Sequence, residues 1–132
     1  MVFSSIMREF GKYMKFSESL KKNTDFRNVY NKGTSHANRL LVMYVLSNDS
    51  KQNRLGISVS KKVGNSVIRH HLTRLVRESY RLHEEIFSFG LDIVVIARVN
   101  AKNASYHEIE KSLLHLANLH HIIKNEKKME SF

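Results

Sequence analysis

The basic residues of this 132-residue chain are concentrated in one segment, where their type and spacing suit phosphate binding. Residues 51–81 carry eight lysines and arginines and only one acidic residue. A helix over residues 65–84, at about 100° per residue, would place a polar row on one side and an apolar stripe on the other, formed by Ile68, Leu72, Leu75, Val76, Ser79 and Leu82. The polar row consists of His70, Thr73, Arg74, Arg77 and Arg81, with Arg69 on one flank. The guanidinium group donates two hydrogen bonds to a phosphate, so this row predicts contact with a phosphate backbone.

The turn before this helix contains a second phosphate-binding feature. Lys61 and Lys62 precede Gly64 and Asn65, and Asn65 or Ser66 can begin the helix. Free backbone N–H groups and the positive end of the helix dipole attract anions at such a position. We therefore predict a nucleic-acid-binding surface formed by Lys61, Lys62, Asn65, Arg69, His70, Arg74, Arg77 and Arg81.

Composition limits the other classes of function. The net charge of +10 and pI near 10.0 indicate a polyanionic partner, with nucleic acid favoured over an anionic membrane. The chain has no cysteine, which excludes disulfides and thiolate chemistry. No apolar run is long enough to span a membrane, and Arg8, Glu9 and Lys12 interrupt any signal sequence. We expect a cytoplasmic protein without membrane association.

Periodicity predicts an α/β chain with a single folded domain. Asn23 or Thr24 should cap a helix that ends at Gly33, and Ser105 should cap a last helix. Predicted strands cover residues 40–46, 54–60 and 91–99, with an extra strand possible near Arg39. The natural architecture is one mixed sheet with helices packed on it. We expect the domain to cover residues 14–123, flanked by a polar tail at 124–132 and, at 1–13, a disordered extension or a wrongly assigned start before Met14.

Aromatic and histidine side chains leave two further functions open. Phe26, Tyr30 and Tyr44 could stack on unpaired bases, although core packing is the more common role of such residues. Eight histidines invite a metal-dependent nuclease, but His70-His71 and His120-His121 are neighbours whose side chains diverge on a helix. We therefore predict no metal site and no catalytic side chain in the chain itself.

The segment from Arg54 to Arg69, Arg-Leu-Gly-Ile-Ser-Val-Ser-Lys-Lys-Val-Gly-Asn-Ser-Val-Ile-Arg, resembles the signature of the bacterial ribonuclease P protein component. Residues 20–33, 37–39 and 93–98 resemble the family's first helix, the start of its first long strand and its last strand. The resemblance implies an α+β sandwich of order α-β-β-β-α-β-α, with the left-handed β-α-β crossover found in the second domain of ribosomal protein S5. Such a crossover departs from the usual right-handed rule.

The same resemblance implies a function. The protein would bind the ribonuclease P RNA, one protein per RNA, and this RNA with its magnesium ions would hydrolyse precursor tRNA. The 5′ leader of precursor tRNA would lie in a cleft that contains Phe26, Tyr30 and Tyr44. A generic ribosomal-type RNA-binding protein is the alternative, because charge and helix phasing fit it equally well.

One run departs from the family pattern. The family usually has Arg-Asn-Arg-x-Lys-Arg where this chain has Arg69-His70-His71-Leu72-Thr73-Arg74. Because imidazole titrates near neutral pH, we expect weaker phosphate contact than in typical members. We also expect RNA binding to become stronger as the pH falls.

Overall fold

The structure is a computed structural model that describes residue 14 and residues 16–124. Its strands are β1 (Ser17–Ser19), β2 (Thr34–Ala37), β3 (Leu41–Ser47), β4 (Asn53–Val59) and β5 (Leu91–Ala97). Its helices are α1 (Asn23–Lys32), α2 (Ser66–Leu82) and α3 (Tyr106–Leu119), and 3-10 turns occur at Glu84–Ile86 and Val99–Ala101. The predicted extension at 1–13 and most of the predicted tail lie outside the described residues.

The five strands form one mixed sheet in the order β1-β4-β5-β3-β2. Strand β4 pairs in parallel with β1 and β5, whereas β3 pairs antiparallel with β5 and β2. This confirms the predicted mixed α/β class and, from α1 onward, the predicted order of elements. Helix α2 joins the neighbouring parallel strands β4 and β5, which makes the expected β-α-β unit; its handedness stays a prediction.

The sheet buries apolar side chains on both faces. Alternate residues of β3 and β5, such as Met43 and Ile93, pack with α2 and α3 in the larger core. The intervening Val94 joins Leu20 and Val29 of the α1 side in a smaller core. Strand β5 is therefore covered on both faces, as its continuous apolar sequence predicted.

Three local expectations were wrong, and one strand was not predicted. Helix α1 already includes Asn23 and follows Lys22, so neither Asn23 nor Thr24 caps it. Leu82 was placed on the apolar stripe of α2 but is 55% exposed, because the helix ends there and Tyr80 fills the core against Phe87, with ring centroids 4.9 Å apart. Strand β5 ends at Ala97, so that Val99 lies in an exposed 3-10 turn. Strand β1 has the sequence Ser-Glu-Ser, which carries no apolar alternation, and it forms by parallel pairing with β4.

Candidate nucleic-acid interface

The start of α2 is held by the turn that follows β4. The Oδ1 atom of Asn65 accepts a hydrogen bond from the Ile68 backbone N–H at 3.0 Å, which caps the helix as its sequence predicted. Val63 is buried in the core, and the Ser60 carbonyl accepts from its backbone N–H at 3.1 Å. The turn is therefore fixed, and the neighbouring Lys61 and Lys62 side chains remain exposed.

Most of the predicted cationic groups on this surface are available to a ligand. Arg74 and His70 are exposed, while Arg69 and Arg77 are partly buried on the same helix. Five of these cations form no ion pair with any residue from 16 to 124: Lys61, Lys62, Arg69, Arg74 and Arg77. A cationic face without acidic partners favours binding to phosphate.

Arg69 has an unsatisfied donor. Its Nε atom is enclosed and has no hydrogen-bond partner among the described residues. A buried donor without an acceptor costs about 1–3 kcal/mol, and because this atom is enclosed, a phosphate oxygen could reach it only after the Arg69 side chain turns outward.

Arg81 differs from the other predicted arginines. Its Nη2 and Nε atoms both bond the Glu78 carboxylate three residues earlier, and its side chain is only 21% exposed. This bond, the chief cause, raises the pKa of Arg81. The ion pair cancels the Arg81 charge, so the free cationic row ends at Arg77.

A groove lies between α1 and β4, on the opposite face of the sheet from α2. It has a volume of about 400 Å³ and is lined by Asn23, Phe26, Arg27, Tyr30, Ile57 and Ser58. Two of the three predicted aromatics, Phe26 and Tyr30, thus line one groove. The third, Tyr44, meets Tyr30 edge to face with ring centroids 5.1 Å apart, so it supports the groove from the side of β3.

The three aromatics, Phe26, Tyr30 and Tyr44, pack against the smaller core and also keep part of each ring exposed, so the expected role in base stacking stays a prediction. Burial raises the pKa of Tyr30, although a hydrogen bond from Ser58 acts in the opposite direction, so the phenol stays neutral at physiological pH. The groove therefore offers neutral aromatic surface beside the Arg27 guanidinium, the combination on which single-stranded nucleic acids stack.

Strand β4 connects the two surfaces. Its residues that face α1 form one wall of the groove, and its carboxyl end continues through Lys61 and Lys62 into α2. A nucleic acid on α2 and a single strand in the groove would therefore lie on either side of the same strand.

Neither a metal cluster nor a membrane span is found in the part of the chain that the structure describes. No group of three or more histidine and acidic side chains there could hold a metal ion. No helix among these residues is long and apolar enough to cross a membrane.

Comparison with known proteins identifies the family. The sequence profile of the family named Ribonuclease P matches residues 14–120. The chain belongs to the ribonuclease P protein family. Ribonuclease P protein components from Lachnoclostridium phytofermentans and Alkaliphilus metalliredigens are 59% and 54% identical to it; the alignments cover 83% and 78% of this chain and 94% and 93% of those proteins.

Solved structures of ribonuclease P proteins share the fold. The protein from Staphylococcus aureus superposes with a TM-score of 0.76 at 41% identity, covering 81% of this chain and 98% of that one. The protein from Thermotoga maritima gives a TM-score of 0.71 at 31% identity, covering 76% of this chain and 96% of that one.

Several groove residues were not among the predicted site residues. Asn23 and Arg27 line the groove from α1, and Ser58 lines it from β4. Gly56, Ser58 and Ser60 alternate with apolar residues in the sequence, so they form one face of small residues on the strand. That face is the sequence feature that indicates room for an aromatic ring against β4.

Proposed function

We propose that this chain is the protein subunit of ribonuclease P, and that it binds the ribonuclease P RNA and the 5′ leader of precursor tRNA on two separate surfaces. The RNA lies along α2 and the turn before it, where Lys61, Lys62, Arg69, Arg74 and Arg77 contact phosphates. The leader lies in the groove between α1 and β4, where bases stack on Phe26 and Tyr30. One protein binds one RNA.

Hydrolysis is assigned to the RNA and to the magnesium ions that the RNA binds. The protein contributes by holding the substrate: its free cations neutralise phosphates, and the aromatic groove orders the strand beyond the cleavage site. Such binding lowers the concentrations of substrate and magnesium that cleavage requires.

The observation that carries this proposal is the groove, because an RNA-binding surface alone would equally suit a ribosomal-type protein. The groove has aromatic rings at one wall, with Arg27 beside them. Strand β4 joins the groove to the cationic helix, so the two together provide a path for a single strand. A generic RNA-binding protein needs no such groove.

The test is cleavage of precursor tRNA by the cognate ribonuclease P RNA at low magnesium, with and without the protein, on substrates with long and very short leaders. We expect strong stimulation that weakens on the short leader. If the stimulation does not depend on leader length, the leader does not bind in the groove. Salt-sensitive RNA binding without stimulation would instead favour the ribosomal-type alternative.

A further inference from the structure

Three residues of β4 contact α1 in succession. Arg54, Gly56 and Ser58 are two residues apart, so they lie on the same face of the strand. Arg54 reaches Asp25, Gly56 lies against the Phe26 ring, and Ser58 bonds Tyr30. This row fixes the position of α1 on the sheet, although none of its members was among the predicted site residues.

Arg54 is the most firmly held member of the row. Its Nε and Nη2 atoms donate to the Oδ1 and Oδ2 atoms of Asp92 at 2.8 and 2.6 Å, and Asp92 is only 2% exposed. Asn48 Nδ2 also donates to Asp92 Oδ1, at 2.9 Å. The guanidinium therefore cannot rotate freely, and its third nitrogen, Nη1, is directed to Asp25 Oδ2 at 3.5 Å.

Asp25 lies in the first turn of α1, immediately before Phe26. The Phe26 ring lies against the backbone of β4, because a Cβ atom at Gly56 would be only 2.7 Å from the ring carbons. Tyr30 follows one turn later, with its ring centroid 6.4 Å from that of Phe26. The position of the first turn of α1 therefore determines the position of the Phe26 ring in the groove.

We propose that Arg54 is a positioning residue for the leader groove: anchored on Asp92, it holds Asp25 and so sets the position of Phe26 relative to Tyr30 and β4. The inference rests on the proposed function of the groove. Arg54 itself contacts no leader; it determines whether the groove fits a single strand.

A purely structural ion pair would behave differently. The Arg54 and Asp25 side chains are about one-third exposed, and pairs of this kind contribute little to folding stability. Loss of the pair would then change neither stability nor substrate binding to any great extent. A positioning pair changes leader recognition while stability and RNA binding stay almost constant.

The test uses the holoenzyme reconstituted with ribonuclease P RNA and measures KM for precursor tRNA with long and very short leaders. Asp25→Asn removes the contact to α1 but leaves Arg54 on Asp92. Asp25→Glu keeps a carboxylate within reach of Arg54. Glu108→Gln is the matched control, because it removes the exposed pair of Glu108 with Arg39, at 3.7 Å, on the far side of the molecule from the groove.

We expect Asp25→Asn to reduce the long-leader advantage in KM about two- to fivefold, the range that a partly exposed ion pair implies. Its kcat and its affinity for ribonuclease P RNA should remain at the wild-type level, and Asp25→Glu should restore the advantage. Glu108→Gln should leave all of these values unchanged.

Two results would overturn the proposal separately. If Asp25→Asn keeps the full leader advantage while Phe26→Ala loses it, the groove binds the leader but Arg54 does not position it. If the wild-type holoenzyme shows no leader advantage, the proposed function of the groove is wrong and the role of Arg54 is lost with it.

Discussion

At the scale of single residues, arginines on one helix differ in what they can bind. Arg74 is exposed and forms no ion pair with a described residue, whereas Arg81 is bonded through two nitrogens to Glu78. An arginine that already has an acidic partner must lose that partner before it gains from a phosphate. Position on the polar face of a helix is therefore not sufficient to define a phosphate contact.

Arg74→Gln and Arg81→Gln provide a matched comparison on α2. The first should reduce the slope of log affinity for ribonuclease P RNA against log salt concentration by about 0.7–0.9, because one phosphate contact and its counterion release are lost. The second should change the slope much less. Binding measured over a range of salt concentrations decides the matter, and equal changes for both variants would show that Glu78 releases Arg81 in the complex.

At the scale of elements, the beginning of α2 combines a cap with a binding site. The Asn65 side chain accepts from Ile68 N–H, so its role in folding is already defined. Asn65→Ala should lower the free energy of unfolding by about 1 kcal/mol, whereas Asn65→Asp should retain the cap. The aspartate, however, adds a negative charge beside the expected phosphate and should weaken RNA binding.

Thermal unfolding and RNA affinity, measured on both variants, separate the two roles. Asn65→Ser is the control, because serine caps a helix without adding charge. If Asn65→Asp binds RNA as tightly as the wild type, the anion does not approach the start of α2.

The elements that could be predicted are those with a local, periodic signal. The phasing of α2 and the alternation of β4 both appear in the sequence and are confirmed in the structure. The pair of Glu78 and Arg81 also has a local signal, because oppositely charged residues three apart on a helix are neighbours. The network of Arg54, Asp92 and Asp25 joins residues far apart in sequence, so no local pattern could reveal it.

At the scale of the whole molecule, Asp92 of β5 lies at the centre of a network that reaches the β3–β4 turn, β4 and α1. Its carboxylate bonds Arg54 of β4 and Asn48 of the β3–β4 turn, and Arg54 extends the network to α1. Burial alone would raise the pKa of Asp92, but the hydrogen bonds from Arg54 and Asn48 outweigh this effect and hold the pKa below its ordinary value of 3.8. The folded protein therefore favours the charged carboxylate.

This shift determines how stability depends on pH. Because the folded pKa is the lower one, the unfolded chain binds the proton more readily, and the contribution of Asp92 is complete above the unfolded pKa. It is lost as the pH falls from near 3.8 through the folded pKa. Asp92→Asn should lower the free energy of unfolding by about 1.5–3 kcal/mol near neutral pH, the value of hydrogen bonds to a charged group.

Urea unfolding of the wild type and Asp92→Asn, from about pH 3 to pH 7, tests this linkage. The difference in the free energy of unfolding between the two proteins should be constant in the upper part of the range and should shrink at its acidic end, where the wild-type carboxylate begins to take up a proton. Asp49→Asn, an exposed change in the β3–β4 turn that also removes one negative charge, controls for the altered net charge. A difference that stays the same down to the lowest pH would mean that the Asp92 carboxylate contributes packing alone, and that the charge on Arg54 is not what connects α1 to the sheet.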